Sequence, residues 1–261
     1  MTGLPPEATR PAPAGRVARV LAQAKLNLLL RVHAREAAGY HGLETLFCRL
    51  ALGDDVEVRA VDSGERTLDV SGAETGPVEQ NLAWRAALAF QSRAAWPAGF
   101  AIRIDKRIPV GGGLGGGSAD AGAVLRALNA LAPRPLPEAE LLSLALPLGS
   151  DVPFVTSTAP LALAWSRGER MLALPALPRR RVVLATFAEG VATADAYRRL
   201  AESRDDWQPA PVLIDPRRLA SWEGVRAYAV NDFEPVVFAH RPELGQVRAA
   251  LAGDPRARDA D

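Results

Sequence analysis

The stretch Pro109-Val-Gly-Gly-Gly-Leu-Gly-Gly-Gly-Ser118, PVGGGLGGGS, decides how this chain is read. Six glycines lie between Gly111 and Gly117, and Ala121, Val124, Leu125, Leu128 and Leu131 follow at the spacing of an amphipathic helix. Ser118 is placed to cap that helix. Ahead of the loop, Phe100 to Ile104 alternates apolar with basic or small residues, as an edge-exposed strand does. The unit is therefore strand, glycine loop, helix. Glycines let the backbone approach a bulky anion and adopt positive φ, and the helix start adds unpaired amides and the positive end of its dipole. A phosphate suits such a cradle. Read from its glycines alone the segment is also compatible with a flexible linker, although linkers are seldom joined so closely to a strand and a capped helix.

Several phosphate loops are excluded by what surrounds the glycines. Gly111, Gly113 and Gly116 satisfy GxGxxG, but a dinucleotide fold needs an acidic residue ending a strand about 20 residues on, where this chain has Pro137 to Glu140 inside an expected helix. No Gly-Lys pair exists for a Walker loop, and the HRD and DFG signatures of protein kinases are absent.

Working outward, Leu26 to Val32 reads as a buried strand, and Leu43–Leu52 with Val56–Val61 reads as a hairpin turning at Gly53, Asp54 and Asp55. Asn81 is an expected N-cap for a helix to about Gln91, and Pro137 the first position of a helix ending near Pro147. Leu161 to Trp165 and Met171 to Leu174 form a second hairpin around Arg167-Gly168, followed by a strand at Val182 to Phe187 and a helix from about Thr193. Strands and helices mix without strict alternation, so the fold class is α+β rather than doubly wound. A domain boundary is expected around Thr156 to Pro160, with residues 16–158 before it and 159–261 after.

Thirty-one basic side chains face 30 acidic ones across 261 residues, so no global field points to nucleic acid or a membrane surface. Any anionic ligand must be held locally. Cys48 is the single cysteine, which rules out an intramolecular disulfide and fits a cytoplasmic protein. Residues 1–15 carry four prolines and no apolar run, and read as a disordered tail rather than a signal peptide.

Pro109, Gly113, Leu114, Gly115, Ser118 and Ala121 resemble the phosphate loop of the GHMP kinase superfamily, and the doubled form PxGGGLGGGS is similar to that of the diphosphocytidyl-methylerythritol kinases. Further segments share the resemblance in the same order. Ala24-Lys25-Leu26-Asn27-Leu28 is similar to the opening strand of those kinases, and Gly39-Tyr40-His41 to their DGYH turn, with Ala38 where they carry Asp. Gly149-Ser150-Asp151-Val152-Pro153-Phe154 resembles their GxDVPF segment, Gly190-Val191 with Thr193 and Tyr197 their GVSTxxxY segment, and Asn231-Asp232-Phe233-Glu234 their structural NDFE.

The resemblance implies a two-lobed fold with a ferredoxin-like C-terminal lobe, and an ATP-dependent kinase acting on a cytidine diphosphate alcohol. It assigns ATP to the loop from Pro109 and Val110 through Gly111, Gly112, Gly113, Leu114, Gly115, Gly116 and Gly117 to Ser118. Lys25 and Asp151 become a catalytic pair, and Asn27, Tyr40, His41, Thr193 and Tyr197 substrate contacts, with the two tyrosines sandwiching the cytosine. Mg2+ is expected from phosphoryl-transfer chemistry, not from any legible ligand cluster. Read without the resemblance, Lys25 is a solvated strand-end lysine, Asp151 a turn or cap residue, and Tyr197 a core residue on its helix. Another GHMP small-molecule kinase is the alternative activity. A glycine-rich GSGxxxF-type loop, expected after the Leu244–Leu251 helix, is not found in the closing AGDPRARDAD. The C-terminal domain is on that ground expected to be incomplete, and the chain an impaired nucleotide binder.

Overall fold

Apolar residues on alternate positions, Val56 and Val58 in one strand and Phe100, Ile102 and Ile104 in another, are buried, while Glu57, Arg59, Arg103 and Asp105 between them face outward. That alternation is the signature of a sheet with one covered face, and a computed structural model of the chain shows the sheet. It describes residues 16–35, 41–187, 189–204 and 212–254, and the tail read at residues 1–15 lies outside them. The elements are β1 (Val17–Arg35), β2 (His41–Val61), β3 (Arg66–Ser71), α1 (Leu82–Ala94), β4 (Gly99–Asp105), α2 (Gly116–Leu131), α3 (Glu138–Ala145), α4 (Val152–Thr156), β5 (Leu161–Ser166), β6 (Arg170–Leu174), α5 (Thr193–Glu202), α6 (Trp222–Tyr228), α7 (Glu234–His240) and α8 (Pro242–Gly253). The architecture is α+β with a mixed sheet, and no helix among the described residues is long and apolar enough to cross a membrane.

The described residues fall into two compact units assembled from interleaved segments. One gathers the residues up to Gln23 with Leu52–Arg107 and Gly117–Ser157; the other gathers Ala24–Ala51, Ile108–Gly116 and the residues from Thr158 on.

In the first unit β4 pairs antiparallel with β2, from Asp55↔Asp105 to Val61↔Gly99, and parallel with β3. It is thus an interior strand, contrary to the expectation of an exposed edge, because β3 supplies a partner that its short, mixed sequence did not announce. Trp84 of α1 meets Phe100 edge to face at 5.3 Å, and Phe90, Leu125, Leu128 and Phe154 fill the core. Asn81 caps α1 as expected, its side chain accepting from the Ala83 amide at 2.9 Å. Pro137 stands one position ahead of α3 rather than in it, and α2 begins at Gly116, so Ser118 lies inside the helix. Gly122 is required where α2 meets α4: a Cβ there would lie 2.9 Å from Thr156 N and from Val155 C and O.

The hairpin expected at Gly53-Asp54-Asp55 does not form, and β2 runs straight through all three residues. Gly53 is there for close approach, since a Cβ would sit 2.9 Å from the Ala22 carbonyl oxygen. Asp54 is fully buried rather than exposed in a turn.

In the second unit the first part of β2 pairs with β5, from Leu43↔Ser166 to Cys48↔Leu161, and β5 pairs with β6 as the expected hairpin. Leu29, Leu46, Leu161, Leu219 and Val225 form its buried cluster. The NDFE segment lies against β1: Asp232 N–H donates to the Leu30 carbonyl at 3.0 Å, Asp232 Oδ2 accepts from the Val32 amide at 2.8 Å, and Arg204 pairs with the same carboxylate at 2.8 Å. Its structural reading stands on those bonds. The strand expected at Val182 to Phe187 does not form: among the described residues nothing pairs with it, and Val183 is 64% and Leu184 37% exposed. An apolar run has strand propensity, but a strand exists only with a ladder partner.

Candidate active site

The glycine loop is built in the second unit. Gly111, Gly113 and Gly115 have φ of 75, 71 and 71°, a left-handed conformation that costs a side-chain-bearing residue roughly 1–2 kcal/mol, so alternate glycines here are a backbone requirement. Leu114 between them points inward, 5% exposed. Its carbonyl accepts from the Lys25 amide at 3.0 Å, which ties the loop to the middle of β1. Gly190 approaches the other end: a Cβ there would meet the Gly111 carbonyl oxygen at 2.7 Å. Gly190, distant in sequence and at the head of the segment that carries Thr193 and Tyr197, therefore comes to the loop.

Lys25 is buried in mid-strand, 5% exposed, which removes its reading as a solvated lysine. Its ammonium donates to Asn27 Oδ1 at 2.8 Å and lies 5.8 Å from the Phe47 ring centroid. Asn27 Nδ2 donates to Thr45 Oγ1 at 2.7 Å, and Thr45 Oγ1 donates to the Leu29 carbonyl at 2.7 Å. This relay fixes the rotamer of each member on β1, the strand to which the Leu114 carbonyl ties the loop.

Asp151 belongs to the first unit, at the position preceding α4. Its backbone carbonyl accepts from Val155 N–H, but its carboxylate makes no capping bond to the helix, so the cap reading is not what the side chain does. Thr193 opens α5 and is exposed. Tyr197 is half-buried rather than a core residue, with its ring edge to face against Phe233 at 4.9 Å on the NDFE segment. Tyr40 lies outside the described residues, and so does the side chain of His41, whose backbone opens β2.

The GHMP kinases N terminal domain family matches residues 81–158, from the cap of α1 to the end of α4. The chain is 38% identical over 235 residues to the 4-diphosphocytidyl-2-C-methyl-D-erythritol kinase of Geobacter sp. (strain M21), covering 89% of this chain and 81% of that one. It is 42% identical over 236 residues to that of Anaeromyxobacter sp. (strain K), covering 89% and 74%. A crystal structure of 4-(cytidine 5'-diphospho)-2C-methyl-D-erythritol kinase superposes with a TM-score of 0.68 at 37% identity, over 90% of this chain and 82% of that one. The chain belongs to this kinase family. It is a GHMP kinase, and the α+β fold is the fold of that family; a mevalonate diphosphate decarboxylase from Legionella pneumophila shares the fold alone, at a TM-score of 0.56 and 14% identity.

Within this family member the motifs do not mark a second charged group beside the loop. Lys106 follows β4, and its ammonium donates to Asp54 Oδ2 at 2.5 Å and to Asp120 Oδ2 at 2.7 Å, with all three side chains buried. Burial alone would lower the ammonium, but the two carboxylates together outweigh it and hold Lys106 above the ordinary lysine value. Burial, reinforced by the Asp54 charge, pushes the Asp120 carboxyl up to about 7 against the pull of Lys106. The available signal was compositional. Lys25 and Lys106 are the chain's only lysines, every other basic side chain counted in the 31 being arginine, and both are buried. A compact ammonium meeting acceptors in a tight space is not replaceable by a planar guanidinium.

Proposed function

We propose that this chain transfers the γ-phosphoryl group of ATP to the 2-hydroxyl of 4-diphosphocytidyl-2-C-methyl-D-erythritol, a step toward isoprenoid precursors in the cytoplasm. The observation that carries the reading is the bond between the Lys25 amide and Leu114 of the glycine loop, which sets the buried ammonium on the same framework as the phosphate cradle. Homologues carrying that kinase name over most of the chain support the substrate class.

In this mechanism the loop amides from Gly111 to Ser118 hold the triphosphate and stabilise the charge of the transferring group. Asp151 accepts the proton of the attacking hydroxyl as its oxygen bonds to phosphorus and the bond to the ADP oxygen breaks, while Lys25 steadies the nucleophile. Asn27 fixes Lys25. Tyr40 and Tyr197 enclose the cytosine, with His41 on its edge and Thr193 at the start of α5. Mg2+ supplies charge neutralisation on the nucleotide phosphates. Among the described residues no group of three or more His, Cys, Asp or Glu could hold a metal ion. The proposal takes residues 16–158 as the ATP-binding N-terminal domain, which also carries Asn27, Tyr40 and His41, and residues 159–261 as the C-terminal domain, which contributes Thr193 and Tyr197.

A coupled ADP-release assay with cytidyl, mevalonate and homoserine acceptors tests it. Release that needs both Mg2+ and the cytidyl alcohol is the expected result, and equal or better turnover of mevalonate or homoserine overturns the assignment.

A further inference from the structure

β4 ends at Asp105, and the chain departs through Lys106 and Arg107 into the glycine loop before returning in α2, where Asp120 lies in the second turn. Lys106 and Asp120 are 14 positions apart in sequence, one at each foot of the loop, yet joined at 2.7 Å. The departing foot is held further. The Lys106 amide donates to the Ser71 carbonyl at 2.9 Å, and the Arg107 amide donates to Asp54 Oδ1 at 2.5 Å, so Asp54 grips two consecutive residues.

We infer that Lys106, Asp120 and Asp54 form a buried staple across the neck of the glycine loop, and that Lys106 and Asp120 are positioning residues which set affinity for the nucleoside triphosphate by fixing where the loop starts and ends. The inference deepens the proposed function and rests on it for the identity of the ligand. Its physical basis is that a glycine-rich loop has many conformations to lose on binding, and joining its ends removes many of them beforehand. A stabilising role alone explains the trio poorly. Buried ion pairs are commonly no better than apolar packing of the same volume, and Asp120 Oδ1 is buried with no hydrogen-bond partner, an arrangement that costs stability. What the pair supplies that an apolar contact lacks is a fixed direction and length between the two feet. The same demand accounts for a lysine here in a chain that otherwise uses arginine on its surface.

The test compares wild type with Asp120→Asn and Lys106→Met by amide hydrogen exchange without nucleotide, and by steady-state kinetics. The staple predicts exchange at residues 111–117 faster by about tenfold in either variant while β2 and β4 are unchanged. It also predicts a KM for ATP raised by about tenfold with the KM for the alcohol within about twofold. Loop exchange equal to wild type, with only the thermal midpoint lowered, overturns the inference and leaves the trio a fold stabiliser. An unchanged KM for ATP beside faster loop exchange overturns the link to affinity. Should Lys106→Met fail to fold, the near-isosteric Asp120→Asn carries both readouts. A wild type that turns over no ATP sinks the proposed function, and the exchange comparison still decides the staple.

Discussion

The two lysines differ in their company. Lys106 lies between two buried carboxylates and is held there as a charge within a charged cluster, whereas Lys25 donates to the neutral amide oxygen of Asn27 and lies beside the Phe47 ring. Burial is nearly the same, 9% and 5% exposed, so burial does not separate the role inferred for Lys106 from the one proposed for Lys25. Position does. Lys106 joins the two feet of the glycine loop through its side chain, whereas Lys25 meets the loop through its backbone amide and, under the proposed function, keeps its ammonium for the reacting groups.

The hardest test of that contrast is to remove the chemistry at Lys25 while leaving Lys106 alone. Lys25→Ala and Asp151→Asn are each expected to lower kcat by about 10² to 10⁴, the usual worth of a positioned acid or base, with the thermal midpoint little changed. Together they should fall far short of the product of the single effects if, as proposed, the two act as a unit. Near-wild-type kcat in Asp151→Asn removes that carboxylate from the mechanism.

Lys106→Met inverts the pattern. It leaves two buried carboxylates without their cation, and the cost to folding is expected to be about 3–5 kcal/mol, read from urea unfolding at neutral pH. A loss below about 1 kcal/mol would mean that the cluster reorganises with water and that the lysines are less different than their partners suggest.

The pH dependence sharpens the same comparison. The folded Asp120 value, about 7, lies above its ordinary 3.8, so between those pH values the folded protein holds more protons than the unfolded one. Stability from this group is therefore present at low pH and is lost as pH rises through 7. The Lys106 shift is also upward and acts only above the ordinary lysine value, leaving Asp120 to set the slope near neutrality against Asp54 and Lys106, the charged groups that face it. Wild type should lose on the order of 2 kcal/mol between pH 5 and 8 from this group, and Asp120→Asn should lose less. Parallel unfolding curves for the two proteins would show that Asp120 does not titrate in this window.

The smallest effect calibrates the others. Asn81→Ala removes a helix cap in an element that carries neither lysine, and should cost about 1 kcal/mol in thermal or urea unfolding with both KM values unchanged. A change in KM for ATP would show that local loss of stability reaches the site without the staple.

The glycine loop was legible from its own residues, whereas Lys25, Asn27 and Asp151 were legible only through the resemblance of their short runs to a known family, since by themselves Lys25 read as a solvated lysine and Asp151 as a turn or cap residue. Tyr197 was legible as a motif residue, and only its contact with Phe233 shows where its ring packs. Lys106, Asp54 and Asp120 were not legible as a group, since their separations of 52 and 14 residues place each in a different local pattern. Asp54 was even read as a turn residue, because glycine and aspartate favour turns when their neighbours are unknown.

By itself the sequence determined what depends on neighbours along the chain: left-handed backbone at alternate glycines of the loop, the cap at Asn81, the β5–β6 hairpin and the apolar face of α2. Only the tertiary structure decided that Gly53-Asp54-Asp55 continues a strand, that β4 is interior, that Val182 to Phe187 finds no strand partner among the described residues, and that Lys106 ties the feet of the loop together. Backbone conformation and caps are set within a few residues. The fate of a strand or a buried charge depends on a partner brought from far along the chain, and a single residue type does not specify which partner arrives.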